Sequence, residues 1–165
     1  MQDFPEWSLN LISSNKTLEG LEERYFEVVL LIEPMLPKLL KGEPLLLFSD
    51  KKREWFVEYI LIQINQKDRP FIPIYKLSGI LNTNQLFGKD RGKIEDMLSI
   101  SFPNGYNFWF IGEKELDFSN GFFWEIKEKS LLDPKDPNLD IKLLQLYKIF
   151  ESSIEGAIFG EFEIF

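Results

Sequence analysis

The chain has 165 residues, a formal net charge of -8 at pH 7, and neither cysteine nor histidine. Those absences exclude Cys or Ser–His nucleophile pairs, zinc sites built on His or Cys, and thiolate-held clusters. The acidic balance, 27 Asp and Glu against 19 Lys and Arg without a basic stripe, speaks against direct nucleic-acid binding, which depends on cations replacing counterions along the phosphates.

The length suits one domain spanning residues 1–165. Its core must be built from large side chains, because Phe occurs 16 times and Trp 4 times while Ala157 is the lone alanine. No apolar run approaches the roughly 20 residues of a membrane span, and the amino terminus is acidic where a signal peptide would be basic. A cytoplasmic protein is expected.

Along the chain, Asp3 followed by Pro5 and the apolar set Phe4, Trp7 and Leu11 predicts a capped helix with Pro in its first turn. A second helical stretch runs from about 22 to 41 with a very wide apolar face. Pro34 and Pro37 must bend or interrupt it, and Gly42 ends it. Leu45 to Phe48 is a short unbroken apolar run, as expected of a strand buried on both faces of a parallel sheet. Asp50 is placed to cap the next helix, residues 51–66. That helix is apolar nearly all round, which predicts burial on nearly all sides.

Phe71 to Tyr75 forms a second expected strand, with Pro73 confining it to an edge or a bulge. A short helix is expected near residues 93–99, a third strand over Phe108 to Ile111 ending at Gly112, and a fourth over Phe122 to Ile126. A polar loop, residues 133–138, precedes a long final helix from about 139 to 159. Strands alternating with helices predict a three-layer α/β/α sandwich with a mostly parallel sheet of four to five strands.

Ligands of such folds bind beyond the carboxyl ends of the strands. The turn after the first strand, Phe48 to Lys52, contains no glycine, so neither a dinucleotide fingerprint nor a P-loop can form there. Asp50 is better placed as a cap than Lys51 and Lys52 are as an anion site, and the cluster Lys51, Lys52 and Arg53 is answered by Glu54 and Glu58. The run Gly112 to Asp117 offers Glu113, Lys114 and Glu115 for acid–base work, although charged loops are more often simply solvated. Asp133, Asp136 and Asp140 lack the spacing and glycine of a calcium loop. No catalytic residue, cofactor or metal ligand is expected.

Surfaces carry the stronger signal. On the last helix Leu139, Leu143, Leu146, Tyr147, Phe150, Ile154, Ala157 and Ile158 form a core stripe, while Ile141 and Phe159 share a different azimuth. With the apolar helix at residues 51–66, this is more helical apolar surface than four strands can cover. Self-association is expected, through Trp55, Phe56, Tyr59, Ile60 and Ile141; a fifth strand or an exposed aggregation liability are the alternatives.

The stretch Pro44 to Asn65 (PLLLFSDKKREWFVEYILIQIN), the segment Phe108 to Gly112 (FWFIG) and above all Asn138 to Glu151 (NLDIKLLQLYKIFE) resemble the HobA family of DnaA-associating proteins from epsilon-proteobacteria. The resemblance implies a sugar isomerase domain-like fold assembled as a homotetramer. It implies a non-enzymatic adaptor that binds the amino-terminal domain of the replication initiator DnaA and promotes its assembly on the chromosomal origin. DiaA-like proteins of this fold use an apolar pair near the carboxyl terminus, which Ile158 and Phe159 resemble, making them the candidate DnaA contacts. The alternative is a phosphosugar-binding or isomerase protein of the same fold, from which the glycine-poor strand ends depart.

Overall fold

The computed structural model describes residues 1–164. Three helices come first: α1 (Phe4–Ser14), α2 (Tyr25–Ile32) and α3 (Met35–Leu40). Strand β1 (Leu45–Ser49) leads to α4 (Glu54–Gln63) and β2 (Ile74–Lys76). Next follow α5 (Arg91–Ser101), β3 (Asn107–Gly112), β4 (Gly121–Glu125) and the long α6 (Leu139–Ile158).

Local chemistry sets the boundaries. Asp3 caps α1, its carboxylate accepting from the Glu6 N–H at 2.9 Å, with Pro5 in the first turn where its missing N–H costs nothing. The stretch 22–41 is indeed interrupted: α2 ends at Ile32 and α3 begins after Pro34. Pro37 falls in the first turn of α3, the one place a helix tolerates it. Gly42 follows with φ +80°, a backbone conformation that a side chain would strain.

The strands form one parallel sheet in the order β2-β1-β3-β4. β2 is an edge strand, but it begins at Ile74: Pro73 stands just before it and not within it, and the strand expected from Phe71 is shorter than its apolar run. No fifth strand joins the sheet among the described residues. Alternation along the central strands sends Leu45, Leu47, Trp109 and Ile111 to one side, and Leu46, Phe48, Phe108 and Phe110 to the other. The first side carries α1, α2, α3, α4 and α6 around Phe56, Trp109, Trp124 and Phe150. The second is thinner: Leu77, Leu86, Ile94, Leu98 and Phe118, from 3₁₀ turns, α5 and the loop after β3, cover it. The architecture is the expected α/β/α sandwich with unequal layers.

Two large aromatic clusters replace the small-residue contacts that a chain with one alanine cannot make. Trp109 packs against Trp124 and Phe150 at 4.9 Å between ring centroids. Phe108 lies 4.5 Å from Phe118 on the opposite face. Each fully buried aromatic contributes roughly 3 kcal/mol by area alone. No helix among the described residues is long and apolar enough to cross a membrane.

Candidate functional site

Connections leave β1 and β3 on opposite sides of the sheet, so the crevice between their carboxyl ends is its topological switch point. Beside it lies a polar hollow of about 300 Å³ lined by Lys52, Arg53, Glu113, Asp136 and Asp140. The Asp50 carboxylate fills the crevice itself. Oδ1 accepts from the Arg53 N–H at 3.1 Å, the expected cap. Oδ2 accepts from the Glu113 N–H at 3.1 Å, across from the end of β3. The buried Arg53 guanidinium lies 3.4 Å from Asp50 Oδ2 and 3.3 Å from Glu113 Oε2.

The expected pairing of Arg53 is corrected: it is answered by Asp50 and Glu113, not by Glu54 and Glu58, because its side chain turns inward; Glu58 instead pairs with Lys76. In the charged run after β3, Glu113 is the ion-pair partner of Arg53 and Lys52. In the following polar loop, Asp133 accepts backbone N–H bonds from Lys129 and Lys135. Asp136 pairs with Lys142, which holds its carboxyl below the usual range. These are turn and helix-entry bonds, and no cluster of acidic residues with metal-ligand geometry occurs among the described residues.

The helical surfaces are different. On α4, Phe56, Val57 and Ile60 point into the core, whereas Trp55, Tyr59 and Ile62 face outward, the last 56% exposed. Burial on nearly all sides is therefore incorrect for α4: the sheet takes one face and leaves an apolar stripe at i, i+4 and i+7. Phe56 and Ile60, fully buried within the chain, drop out as subunit contacts. Between α4 and α6 runs a groove of about 340 Å³ lined by Tyr59, Gln63, Ile141, Leu144 and Tyr147. Ile141 is 56% exposed on its rim.

Polar bonds stiffen the groove floor. The Tyr147 hydroxyl donates to Glu151 at 2.5 Å, while Lys67 and the buried Arg69 approach the same carboxylate. Burial and the Glu151 hydrogen bond push the Tyr147 phenol well above its ordinary range. Burial works against the charge of Glu151, but hydrogen bonds from Lys67 and Tyr147 and the nearby cations outweigh it and hold its pKa down.

At the carboxyl end of α6, Ile158 leaves the core stripe expected of it and is exposed, and Phe159 is 76% exposed. Phe159 is nonetheless anchored. The chain reverses at Gly160, and Phe162 packs 4.7 Å from Trp7 and 5.2 Å from Phe4. Glu161 accepts from Trp7 Nε1 at 3.0 Å, and the Glu163 N–H bonds the Gln2 carbonyl. Sequence periodicity missed Phe162 because it lies beyond the helix. It also missed Phe26 and Leu30, exposed on α2, whose signal was an apolar face too wide for one core.

The fold and site define a doubly wound α/β sandwich whose strand ends are held together by its own carboxylate and which exposes apolar side chains on α2, α4 and α6. A family model described as HobA, DNA replication regulator, matches residues 1–164, and the chain belongs to that family. It is 26% identical to the DNA replication regulator protein HobA of Helicobacter pylori over 179 residues, covering 98% of each chain. A crystal structure of a HobA–DnaA (domain I-II) complex from Helicobacter pylori matches with a TM-score of 0.69 at 22% identity, covering 99% of this chain and 100% of that one. A crystal structure of HobA from the same organism matches with a TM-score of 0.65 at 20% identity, covering 99% of each.

Proposed function

We propose that this protein is a cytoplasmic, single-domain adaptor that binds the amino-terminal domain of DnaA and promotes DnaA assembly on the chromosomal origin, without catalysis and without touching DNA. Family membership and the DnaA-bound Helicobacter pylori relative support this reading. The geometric observation that carries it is the contrast between a switch point closed by Asp50 and helical apolar side chains left open.

The open side chains divide into two sets. Tyr59 and Ile141, at the α4–α6 groove, and Trp55, one turn before Tyr59 on α4, join subunits into a homotetramer. Ile158 and Phe159 contact DnaA. A symmetric assembly then displays several equivalent sites and raises the effective concentration of DnaA molecules relative to one another. The net charge of -8 suits a factor that acts on a DNA-binding protein and leaves the DNA to it.

Phe159 suits an anchor because its backbone is already held by the Phe162 clamp, so little ordering entropy is lost on binding. Replacing it with alanine is expected to weaken DnaA binding by about 2 kcal/mol, roughly thirty-fold, with the oligomer mass unchanged. Unaltered affinity in an intact oligomer removes Phe159 from the contact.

A further inference from the structure

The two edges of the sheet are finished differently. β2 is three residues long, follows Pro70 and Pro73, and carries Lys76, which pairs with Glu58. Short length, proline and lysine are means by which proteins keep an edge from pairing. β4 has none of them: its five residues, Gly121–Glu125, include neither proline nor lysine, and only Trp124 among them is buried.

Register fixes which backbone groups of β4 are free. The Asn120 carbonyl accepts from the Phe108 N–H, and the Ile126 N–H donates to the Gly112 carbonyl. In a parallel ladder Phe122 and Trp124, between them, then face β3 as well. Gly121, Phe123 and Glu125 turn their N–H and C=O outward, and no other backbone pairs with them among the described residues. An uncovered helix face adjoins this edge. Leu30 of α2 and Glu125 line one hollow of about 170 Å³. Leu30 is 73% exposed, and Phe26, one turn earlier, is 67% exposed.

We propose that the β4 edge, with Phe26 and Leu30 of α2, is a second subunit interface, at which β4 pairs antiparallel with β4 of another copy and joins two sheets into one. The inference rests on the homotetramer proposed above. One two-fold contact closes a dimer; a tetramer built from two-fold contacts needs two different ones, and the α4–α6 groove supplies only one. The sequence of the edge selects a second copy as its occupant. A two-fold axis at Phe123 sets Phe123 against Phe123 and Glu125 against Gly121. Aromatic rings then meet, and the one charge of the strand faces a residue without a side chain. The same axis keeps both α2 helices on one side of the joined sheet. A strand pair alone is small beside the roughly 800 Å² that each partner buries in a stable contact, and the apolar face of α2 enlarges it.

Sedimentation velocity of the full chain at micromolar concentration tests the interface. Glu125→Pro removes an outward N–H and leaves the bonds to β3, the setting in which an edge strand tolerates proline. Phe26→Glu with Leu30→Glu brings like charges together across the two-fold and alters only exposed side chains. Each variant is expected to halve the tetramer mass, leaving dimers joined at the groove, and adding Tyr59→Asp with Ile141→Asp is expected to halve it again. Should circular dichroism show that Glu125→Pro does not fold, Phe26→Glu with Leu30→Glu carries the test. A tetramer mass in that variant overturns the inference and leaves the homotetramer standing. The same mass with DnaA co-elution lost gives the edge to DnaA and also overturns it. A wild-type dimer that dissociates only in the edge variants removes the homotetramer and keeps this interface, whereas a wild-type monomer removes both.

Discussion

The hollow beside β1 and β3 and the groove between α4 and α6 have similar volumes, about 300 and 340 Å³, but they leave opposite things unsatisfied. At the strand ends the buried charges beside the crevice meet their opposites: Arg53 with Asp50 and Glu113, Asp136 with Lys142. Along the helices the polar groups are paired beneath the surface while Trp55, Tyr59, Ile62 and Ile141 remain in water. A crevice that has satisfied itself has little to offer a ligand, whereas an apolar stripe gains when another surface covers it. The difference is what supports proposing a binding role for the outside of a fold whose usual ligand site lies at the strand ends.

Disturbing the crevice is expected to affect stability most. Arg53→Ala leaves a partly buried carboxylate without its cation, and should cost about 3 kcal/mol in urea unfolding, while DnaA binding persists below the melting transition. A loss of DnaA binding with little change in stability would reverse the roles assigned to the two regions. The helical stripe should behave the other way. Tyr59→Asp with Ile141→Asp is expected to change folding stability of the isolated subunit by about 1 kcal/mol or less, yet to break the oligomer into smaller species by sedimentation. An unchanged mass would take the subunit contact away from the groove.

Acid provides a smaller and more graded comparison. The pKa of Glu151 is held below 4.5 and that of Asp136 below 3.8. Their stabilisation is present above those values and fades as pH falls through the lower folded-state values. Glu33, raised by burial and by the charge of Asp3, acts in the opposite sense. Tm should therefore fall as pH drops from about 5 toward 3, and Glu151→Gln should flatten part of that slope. An acid limb identical in Glu151→Gln and wild type would show that the groove floor does not depend on this carboxylate.

Much of the architecture was legible in the residues because the signals were local. The run Leu45 to Phe48 and the segment Phe108 to Ile111 became the two central strands, and Asp3 and Asp50 capped the helical turns that follow them, whereas the strand expected at Phe71 starts only after Pro73, at Ile74. What periodicity could not decide was how much of a continuous apolar helix the sheet would cover. Phe56 and Ile60 were grouped with Trp55 and Tyr59, and only tertiary packing separates the buried pair from the exposed one. The Asp50–Glu113 bond was beyond reach for a related reason: its partners lie 63 residues apart, and only the pairing of β1 with β3 brings them together. The clamp of Phe162 on Trp7 likewise joins opposite ends of the chain.

The central claim is that this chain acts by binding DnaA through its helical surface, and the mass of a mixture tests it most directly. Light scattering after size exclusion, with the purified amino-terminal domain of DnaA at tens of micromolar, is predicted to give one co-eluting species with one DnaA domain per chain. Separate elution of the two proteins at that concentration, with both folded, would contradict the account.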